Sequence, residues 1–343
     1  MKIIITGCAG FIGCHVTERF CARGHSVVGI DNLSRSGSHK NLAWLRSRRR
    51  TEFEFVQADI RDQAALATVF AANSDVACVV HEAAQVAVTT SVVNPRLDFE
   101  VNALGTFNVL EATRKYSPNA ALLFASTNKV YGALEDISVR EAATRYYYVD
   151  QPRGISEGQA LDFHSPYGCS KGTADQYVRD YARLYGLRSV VFRQSCIYGE
   201  RQFGLEDQGW VAWFAISAIR GNPITIYGNG KQVRDVLWVD DLIDLYERAV
   251  DRIDIAAGQI YNAGGGPENA ISVLDAIDLL RQITGTAIAP NFKDWRPGDQ
   301  KIYISDCQKA RKDLGWLPRT NPRDGIARLV HWVSEAASRV KEG

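Results

Sequence analysis

Three regularly spaced glycines near the start of the chain restrict its fold more than any other feature. Gly7, Gly10 and Gly13 follow a β-branched run at residues 3–5, and residues 11–23 carry the apolar spacing of a helix. Glycine permits tight turns and close backbone approach, and the start of a helix presents N–H groups without partners. This order therefore predicts a strand, a sharp turn and a helix, as at the start of a parallel α/β sheet.

The first half of the chain repeats this alternation. Short apolar runs at 26–30, 54–57, 77–81 and 122–126 predict strands, and 102–116 and 167–185 predict long helices. Continuous apolar strands alternating with helices indicate an α/β fold with a doubly wound parallel sheet of the Rossmann type. Beyond about residue 195 glycine, proline and tryptophan interrupt the pattern, although 272–284 still predicts a helix.

We expect two domains from this change of pattern. Residues 1–195 are predicted to form the Rossmann domain, and a later segment around 230–265 is predicted to return to it. Residues 196–343 are predicted to form mainly a smaller C-terminal α/β domain that binds a substrate.

The composition argues against several classes of protein. A formal net charge of +1, with 23% charged residues, predicts no binding to nucleic acid or to an anionic membrane, and no apolar run is long enough to span one. The seven cysteines include no CxxC pair, which favours buried thiols in a reducing compartment over disulfides or metal ligands. The N-terminus lacks the apolar core of a signal peptide, so we expect a cytoplasmic protein. The basic run at 46–50 predicts a solvated loop.

An acidic residue ends the second predicted strand. A carboxylate at Asp31 can accept hydrogen bonds from both ribose hydroxyls of an adenosine and repels a 2′-phosphate. Together with the glycine turn, Asp31 predicts a dinucleotide site and favours NAD over NADP. Asp59 and Ile60 follow the third strand, where Asp59 fits either a contact with the adenine edge or a helix cap.

A second group of residues indicates proton and hydride transfer. Tyr167 and Lys171 are four residues apart, so a helix places both on one face, and an ammonium nearby is expected to lower the pKa of the phenol. Ser126 and Thr127 end a predicted strand, where a hydroxyl can bind a substrate oxygen. Behind a dinucleotide fold, these groups predict a site in which Tyr167 takes the proton of a sugar hydroxyl while hydride goes to the nicotinamide.

Several stretches of the sequence are similar to one known family. They are TGCAGFIG, DNLSR, HEAAQVAV, NALGTFNVLEA, ASTNKVYG, SPYGCSK, GKQVRDVLWVDDL and RPGD. With them the chain resembles, from end to end, the extended short-chain dehydrogenase/reductase family of nucleotide-sugar epimerases and dehydratases. The resemblance implies that Thr127, Tyr167 and Lys171 are catalytic. It also implies NAD contacts from Gly7, Gly10, Phe11, Ile12, Gly13, Asp31, Asn32, Ser34, Arg35, Asp59, Ile60, Ala83, Ala84, Gln85, Asn102, Ser126, Tyr167 and Lys171.

Two departures from the family pattern narrow the expected activity. Family dehydratases carry an Asp-Glu pair after the catalytic threonine, whereas this chain has Asn128 and Lys129. Where the family usually has an aromatic residue and an asparagine, this chain reads FRQSCIYG, which suggests a modified role for Ser195. Stretches such as LDFHSPYGCSKG and DQGWVAWF are most similar to family members that invert C2 of a CDP-linked sugar through a transient 2-keto sugar. The alternatives are a C4 epimerase of a UDP-hexose and a catalytically idle NAD-binding sensor or scaffold.

The resemblance also implies a substrate site and an assembly. Arg234 and Arg296 suit a diphosphate, although ion pairs with Asp235 or Asp299 would explain them as well. Substrate contacts are expected from Thr127, Asn128, Lys129, His164, Ser195, Arg201, Gln208, Arg234 and Arg296. No metal site is expected. The apolar faces of the helices predicted at 102–116 and 167–185 predict a homodimer or a higher homo-oligomer.

Overall fold

A seven-stranded parallel sheet forms the centre of the computed structural model, which describes residues 1–49, 51–296 and 299–341. The strands are β1 Lys2–Thr6, β2 Ser26–Asp31, β3 Phe53–Gln57, β4 Cys78–His81, β5 Ala121–Thr127, β6 Val139–Glu141, β7 Tyr146–Tyr148, β8 Arg188–Gln194, β9 Cys196–Tyr198, β10 Thr225–Tyr227, β11 Val233–Trp238, β12 Ile260–Ala263, β13 Ala270–Ser272, β14 Asn291–Lys293 and β15 Ile302–Tyr303. The helices are α1 Phe11–Ala22, α2 Ser38–Arg48, α3 Gln63–Ala72, α4 Val88–Val93, α5 Pro95–Phe99, α6 Gly105–Tyr116, α7 Ser165–Tyr185, α8 Trp210–Arg220, α9 Val239–Asp251, α10 Ile253–Ala256, α11 Val273–Thr284, α12 Gln308–Leu314 and α13 Pro322–Lys341.

The order of strands in the central sheet is β12-β8-β5-β4-β1-β2-β3. From β1 the chain builds outward to β2 and β3, and then crosses to β4 and builds in the other direction. The strand order therefore reverses between β1 and β4, which is where open α/β sheets bind ligands at the carboxyl ends of their strands. The strands are apolar on both faces because helices cover both sides, and Ile3, Ile4 and Ile5 are completely buried.

A smaller group of sheets follows the central one. Strand β11 pairs in parallel with β9 and β15 and antiparallel with β13, whereas β10 pairs with β14. Strand β12 then returns to the central sheet and pairs in parallel with β8, and α9 packs against α1. The sequence therefore anticipated a doubly wound parallel sheet correctly.

Three local expectations need correction or fall outside the described residues. Residues 46–48 are not a loop but the last turn of α2, and Arg49, just beyond it, pairs with Glu18 at 2.6 Å. The helix predicted from residue 102 begins as a π-helical turn at Glu100–Leu104 that continues into α6. Arg50, the Pro297-Gly298 pair of the RPGD stretch and residues 342–343 lie outside the described residues.

None of the helices placed within 1–49, 51–296 and 299–341 is long and apolar enough to cross a membrane. In those same ranges no group of three or more His, Cys, Asp or Glu side chains is arranged to hold a metal ion. All seven cysteines are free thiols, and five of them are buried.

Candidate functional site

A cavity of about 770 Å³ opens at the carboxyl edge of the central sheet. Gly7, Asp31, Ala58, Glu82 and Ser126 line it, and each lies at or just after the end of one of the strands β1 to β5. The other lining residues are Gly10, Phe11, Ile12, Gly13, Ile30, Asn32, Ser34, Arg35, Ser38, Asp59, Ile60, Arg61, Ala83, Ala84, Gln85, Val86, Ala87, Thr90, Leu97, Val101, Ala125, Tyr167, Lys171, Gln194, Leu205, Glu206, Asp207 and Gln208.

The glycine turn forms one wall of this cavity, and two of its positions require glycine. Gly7 has φ +74°, and a Cβ there would lie 2.6 Å from the backbone nitrogen of Ala83. A Cβ on Gly13 would lie 2.0 Å from the carbonyl oxygen of Gly7. The turn therefore packs so closely against the backbone after β4 that no side chain fits between them. It leads directly into α1, whose first N–H groups suit an anionic ligand.

Asp31 ends β2 at the cavity with its carboxylate held in place. Its Oδ2 accepts a hydrogen bond from the backbone N–H of Ala9 at 3.0 Å, and its Oδ1 accepts one from Leu33 at 2.7 Å. Burial raises the pKa of Asp31, and these two bonds oppose that shift. Each oxygen keeps lone pairs that can accept from a ligand hydroxyl.

Asp59 belongs to a small charged group at the same rim. Arg61 hydrogen-bonds the carboxylate of Asp59 at 2.9 and 3.0 Å and holds its pKa at about 2, and Asn32 donates to it at 2.8 Å. The helix that follows is capped by Asp62, which accepts from Ala64 and Ala65. The helix-cap interpretation of Asp59 was therefore wrong, and its side chain remains at the cavity.

Thr127, Tyr167 and Lys171 come together where β5 meets α7. Thr127 Oγ1 accepts from the backbone N–H of Lys129 at 3.2 Å, and it hydrogen-bonds the phenol of Tyr167. Tyr167 is 8% exposed and lines the cavity together with Lys171. The phenol and the ammonium thus share one cavity wall, and Thr127, which follows the lining residue Ser126, lies beside the phenol.

The charges of this group differ from the sequence expectation. Lys171 Nζ donates to the carbonyl oxygen of Ala125 and lies 4.3 Å from the centre of the Phe124 ring, and burial lowers its pKa to about 8. Burial raises the pKa of Tyr167 to about 12, although the bond to Thr127 lowers it. The expected lowering of the phenol pKa by Lys171 is therefore absent from this arrangement, because burial dominates and the ammonium is engaged at Ala125.

Ser126 is anchored from behind by a buried ion pair. Its hydroxyl donates to Asp175 at 2.7 Å, and Asp175 accepts two hydrogen bonds from Arg193 at 2.9 and 3.0 Å. Arg193 also donates to the hydroxyl of Tyr131 at 3.2 Å. Because Asp175 and Arg193 are 0% and 2% exposed, these charges fix the end of β5 and are closed to ligands.

Asn102 does not line the cavity, contrary to its predicted role as a direct contact. Its amide donates to the carbonyl oxygen of Gln85 at 3.0 Å and to Asp98 and Ser170 at 3.1 Å, and its oxygen accepts from the N–H of Gln85. The residue is buried behind the cavity wall, where it holds the backbone of Gln85 in place. All the other residues predicted to contact NAD line the cavity.

Of the residues predicted to bind substrate, Gln208 lines this cavity, where its side-chain oxygen accepts from Arg35. The three residues before it, Leu205, Glu206 and Asp207, also line the cavity, and the sequence analysis did not predict them as site residues. Arg201 lies away from the cavity at helix α2. Its guanidinium is 4.1 Å from the centre of the Trp44 ring and donates to Asn41 at 3.2 Å, so the expected substrate contact is replaced by packing.

Three other predicted substrate residues are engaged within the protein. Arg234 forms an ion pair with Asp299 at 3.0 Å, as the alternative interpretation expected, and Ser195 donates to Asp235. His164 lies 2.8 Å from Asp162. None of these three lines the cavity described above.

Arg296 and the catalytic turn complete the set of predicted substrate residues. Arg296 pairs with Asp207 at 3.1 Å and lies 3.9 Å from the centre of the Tyr227 ring. Asn128 is buried beside Thr127, whose hydroxyl donates to it at 3.4 Å. Lys129 follows in the same 3₁₀ turn, Asn128–Tyr131.

The structure adds an acidic residue that the sequence analysis passed over. Glu82 lines the cavity directly after β4 and accepts a hydrogen bond from the Tyr246 hydroxyl at 2.6 Å, which in turn accepts one from Gln194 at 2.6 Å. Burial raises the pKa of Glu82 to about 7. A charged residue immediately after a buried strand, in the stretch HEAA, was the signal that could have revealed it.

Comparison with known proteins gives a consistent result. The profile of the GDP-mannose 4,6 dehydratase family matches residues 4–329. The CDP-paratose 2-epimerase of Salmonella typhi is 43% identical over 339 residues, covering 97% of this chain and 99% of that protein. The UDP-glucose 4-epimerase of Thermotoga maritima, solved with UDP-glucose, has a TM-score of 0.84 and 31% identity, covering 98% of this chain and 100% of its own.

A second solved epimerase carries a cofactor. The UDP-glucose 4-epimerase of Thermus thermophilus, solved in complex with NAD, has a TM-score of 0.81 and 32% identity, again covering 98% of this chain and 100% of its own. These matches agree with the seven-stranded parallel sheet and with the motifs quoted above. The chain belongs to the extended short-chain dehydrogenase/reductase family of nucleotide-sugar epimerases and dehydratases.

Proposed function

We propose that this protein is an NAD-dependent isomerase that inverts C2 of a CDP-linked sugar and converts CDP-paratose into CDP-tyvelose. The observation that carries the proposal is that Tyr167 and Lys171 line one cavity with Thr127 next to the phenol, and that neither of the two residues after Thr127 is a carboxylate. The 43% identity to a CDP-paratose 2-epimerase over nearly the whole chain supports the choice of substrate. Relatives that act on UDP-glucose are less similar.

The residues at the cavity fit NAD. Asp31 offers a fixed carboxylate to the hydroxyls of the adenosine ribose and would repel the 2′-phosphate of NADP. The glycine turn and the start of α1 suit the pyrophosphate. Because the cofactor is regenerated in each turnover, we expect the purified protein to release NAD on denaturation, as detected by mass spectrometry.

Thr127, Tyr167 and Lys171 have different roles in the proton transfer. NAD, when bound, would supply the hydride acceptor and donor that this inversion needs. Tyr167 takes the proton of the C2 hydroxyl and later gives it back, and Thr127 fixes the phenol by hydrogen bonding. Lys171 places a positive charge at the same wall and, because its pKa is about 8, keeps most of that charge at neutral pH.

The residues after Thr127 favour epimerisation over dehydration. Water elimination needs a group that removes a carbon-bound proton and a group that protonates the leaving hydroxyl, and family dehydratases use an Asp-Glu pair for this. The amide of Asn128 does not titrate, and the ammonium of Lys129 cannot accept a proton while it is charged. We therefore expect the substrate to keep its oxygen atoms.

An isotope experiment tests this assignment. A CDP-paratose carrying deuterium at C2 is incubated with the enzyme in light water, and unlabelled substrate is incubated in heavy water, with NMR of the products. We expect C2 to be inverted, to keep its deuterium in the first reaction and to gain none in the second. Washout of the label would refute transient oxidation at C2, and inversion at C4 alone would favour a UDP-hexose epimerase. The Tyr167→Phe variant is the control. If the protein were a catalytically idle NAD-binding protein, the native chain and this variant would give the same result, with no inversion in either.

We also propose a homodimer formed through α6 and α7. Phe107 on α6 and Tyr177, Leu184 and Tyr185 on α7 are exposed, and the rings of Phe107 and Tyr177 lie 5.9 Å apart. Such apolar faces on neighbouring helices suit pairing about a two-fold axis. Light scattering should report twice the chain mass for the native protein and for a control variant, Ile255→Glu on α10. A Tyr177→Glu variant should be monomeric, and a monomeric native protein would overturn the proposal.

The cysteines support a cytoplasmic location. All seven thiols are free, and burial raises the pKa of Cys14, Cys21 and Cys78 to about 12, so these thiols resist oxidation. A chain whose cysteines are all free thiols suits a reducing compartment. Fractionation of the native cells with an antibody to this chain is the direct test.

A further inference from the structure

Lys129 carries its positive charge on the 3₁₀ turn that follows the catalytic threonine. Its backbone N–H donates to Thr127 Oγ1 at 3.2 Å, and its carbonyl oxygen accepts from Gly132 at 3.2 Å. Both ends of the residue are therefore tied into the 3₁₀ turn that begins at the catalytic threonine. The side chain starts from a fixed point two residues beyond Thr127.

In the part of the chain that the structure describes, the ammonium of Lys129 has no ion-pair partner of its own. Within residues 1–49, 51–296 and 299–341 no carboxylate or carbonyl oxygen accepts a hydrogen bond from it. Arg234 and Asp299 are near enough to act on it electrostatically, but they already pair with each other at 3.0 Å. The formal charges of two basic residues and one acidic residue leave these three with a net positive charge.

The surroundings of this charge make it costly unless a ligand neutralises it. Lys129 is partly buried, and Cys196 on β9 and Arg234 on β11 are near enough to act on it electrostatically. Burial, and next the repulsion by Arg234, lower its pKa to about 8. A lone cation in such a place is destabilising, whereas one that meets an anion on ligand binding is favourable.

The chemistry of C2 inversion brings an anion to this point. C2 is bonded to C1, and C1 carries the diphosphate through a single oxygen atom. When the C2 hydroxyl is at Thr127 and Tyr167, the sugar-linked phosphate is therefore close to the catalytic turn. In a 4-epimerase the sugar ring lies between the reacting carbon and the diphosphate, so a cation beside the threonine would have no such partner.

We propose that Lys129 binds the sugar-linked phosphate of the substrate and thereby places C2, rather than C4, at Tyr167. The inference rests on the proposed function and adds a specificity-determining residue to it. Arg234, held by Asp299, would be the second cation at the diphosphate.

Nucleotides without a sugar separate this role from a structural one. CDP carries the phosphate in question and CMP lacks it, so calorimetric binding of both to the NAD-loaded protein isolates the contact. For Lys129→Met we expect binding of CDP to weaken about 10- to 100-fold and binding of CMP to stay within about threefold. Lys129→Arg should recover most of the CDP affinity, and Lys312→Met, which removes an exposed lysine of α12, should bind like the native protein.

The outcomes distinguish the two proposals. Equal binding of CDP by Lys129→Met and native protein, or an equal loss of CDP and CMP, would overturn the role of Lys129. If the native protein prefers UDP-sugars, the proposed substrate fails, and the same comparison is made with UDP and UMP. If the native protein inverts C4 while Lys129→Met still loses affinity for CDP and not for CMP, Lys129 binds the phosphate but does not place C2 at Tyr167, and that part of the inference is overturned.

Discussion

Replacement of Asp31 by alanine should change the choice of cofactor by a measurable amount. Hydrogen bonds to a charged group are worth about 1.5–3 kcal/mol each, and two ribose hydroxyls could give about 3–6 kcal/mol. The carboxylate already shares its oxygens with the N–H groups of Ala9 and Leu33, so we take the lower end. NAD binding should then weaken about 100-fold.

The same substitution should help NADP. A phosphate within about 4 Å of a carboxylate is repelled by about 4 kcal/mol per unit charge at an effective dielectric constant of about 20. Removing Asp31 removes this repulsion, and we expect NADP binding to improve at least about 10-fold. The assay is calorimetry of the cofactor-free protein with NAD and NADP, with the melting temperature as a check on folding. NAD affinity within about threefold of the native value, in a folded variant, would refute the assignment of Asp31.

Three further predictions concern catalysis, stability and pH. Tyr167→Phe should still bind NAD but should lose about 10²- to 10⁴-fold in turnover, whereas Lys171→Met should weaken both NAD binding and turnover. Calorimetry measures the binding and initial rates measure the turnover. Near-normal rates in Tyr167→Phe would mean that another group transfers the proton. Arg193→Met should lower the free energy of unfolding by about 3–5 kcal/mol in urea, because it leaves Asp175 buried without its partner, and adding Asp175→Leu should restore most of the loss. Burial raises the pKa of Asp235 to about 6, above its unfolded value, so its stabilising contribution is present below about pH 4 and is lost as the pH rises through 6. Relative to Asp235→Asn, the free energy of unfolding of the native protein should therefore fall by up to about 3 kcal/mol between pH 4 and pH 7. If the difference between the two proteins is the same at both pH values, this prediction is contradicted.

The fold and the cofactor side of the cavity could be predicted because their signals are local. Gly7 and Asp31 act through the backbone turn and the strand end on which they lie, and the strand periodicity fixes where those ends meet. The same holds for Tyr167 and Lys171, whose spacing on one helix decides that they share a face.

The substrate side could not be predicted to the same depth, because its residues depend on partners far away in sequence. Arg201 packs on Trp44 and Arg296 pairs with Asp207, and nothing near either arginine in the sequence indicates those partners. Burial raises the pKa of Glu82, and the hydrogen bond that opposes this shift comes from Tyr246, another distant residue. Only the folded chain shows which charges are already paired and which remain for a ligand.

The late return of β12 to the central sheet has a consequence for synthesis of the protein. Strand β8 ends at Gln194, but the strand that covers its outer edge, Ile260–Ala263, follows only after β9, β10 and β11 have been made. Until then β8 presents an apolar edge with unpaired backbone groups, which is a template for intermolecular pairing. A fragment ending at residue 195 should therefore aggregate when expressed alone, although it contains Thr127, Tyr167 and Lys171.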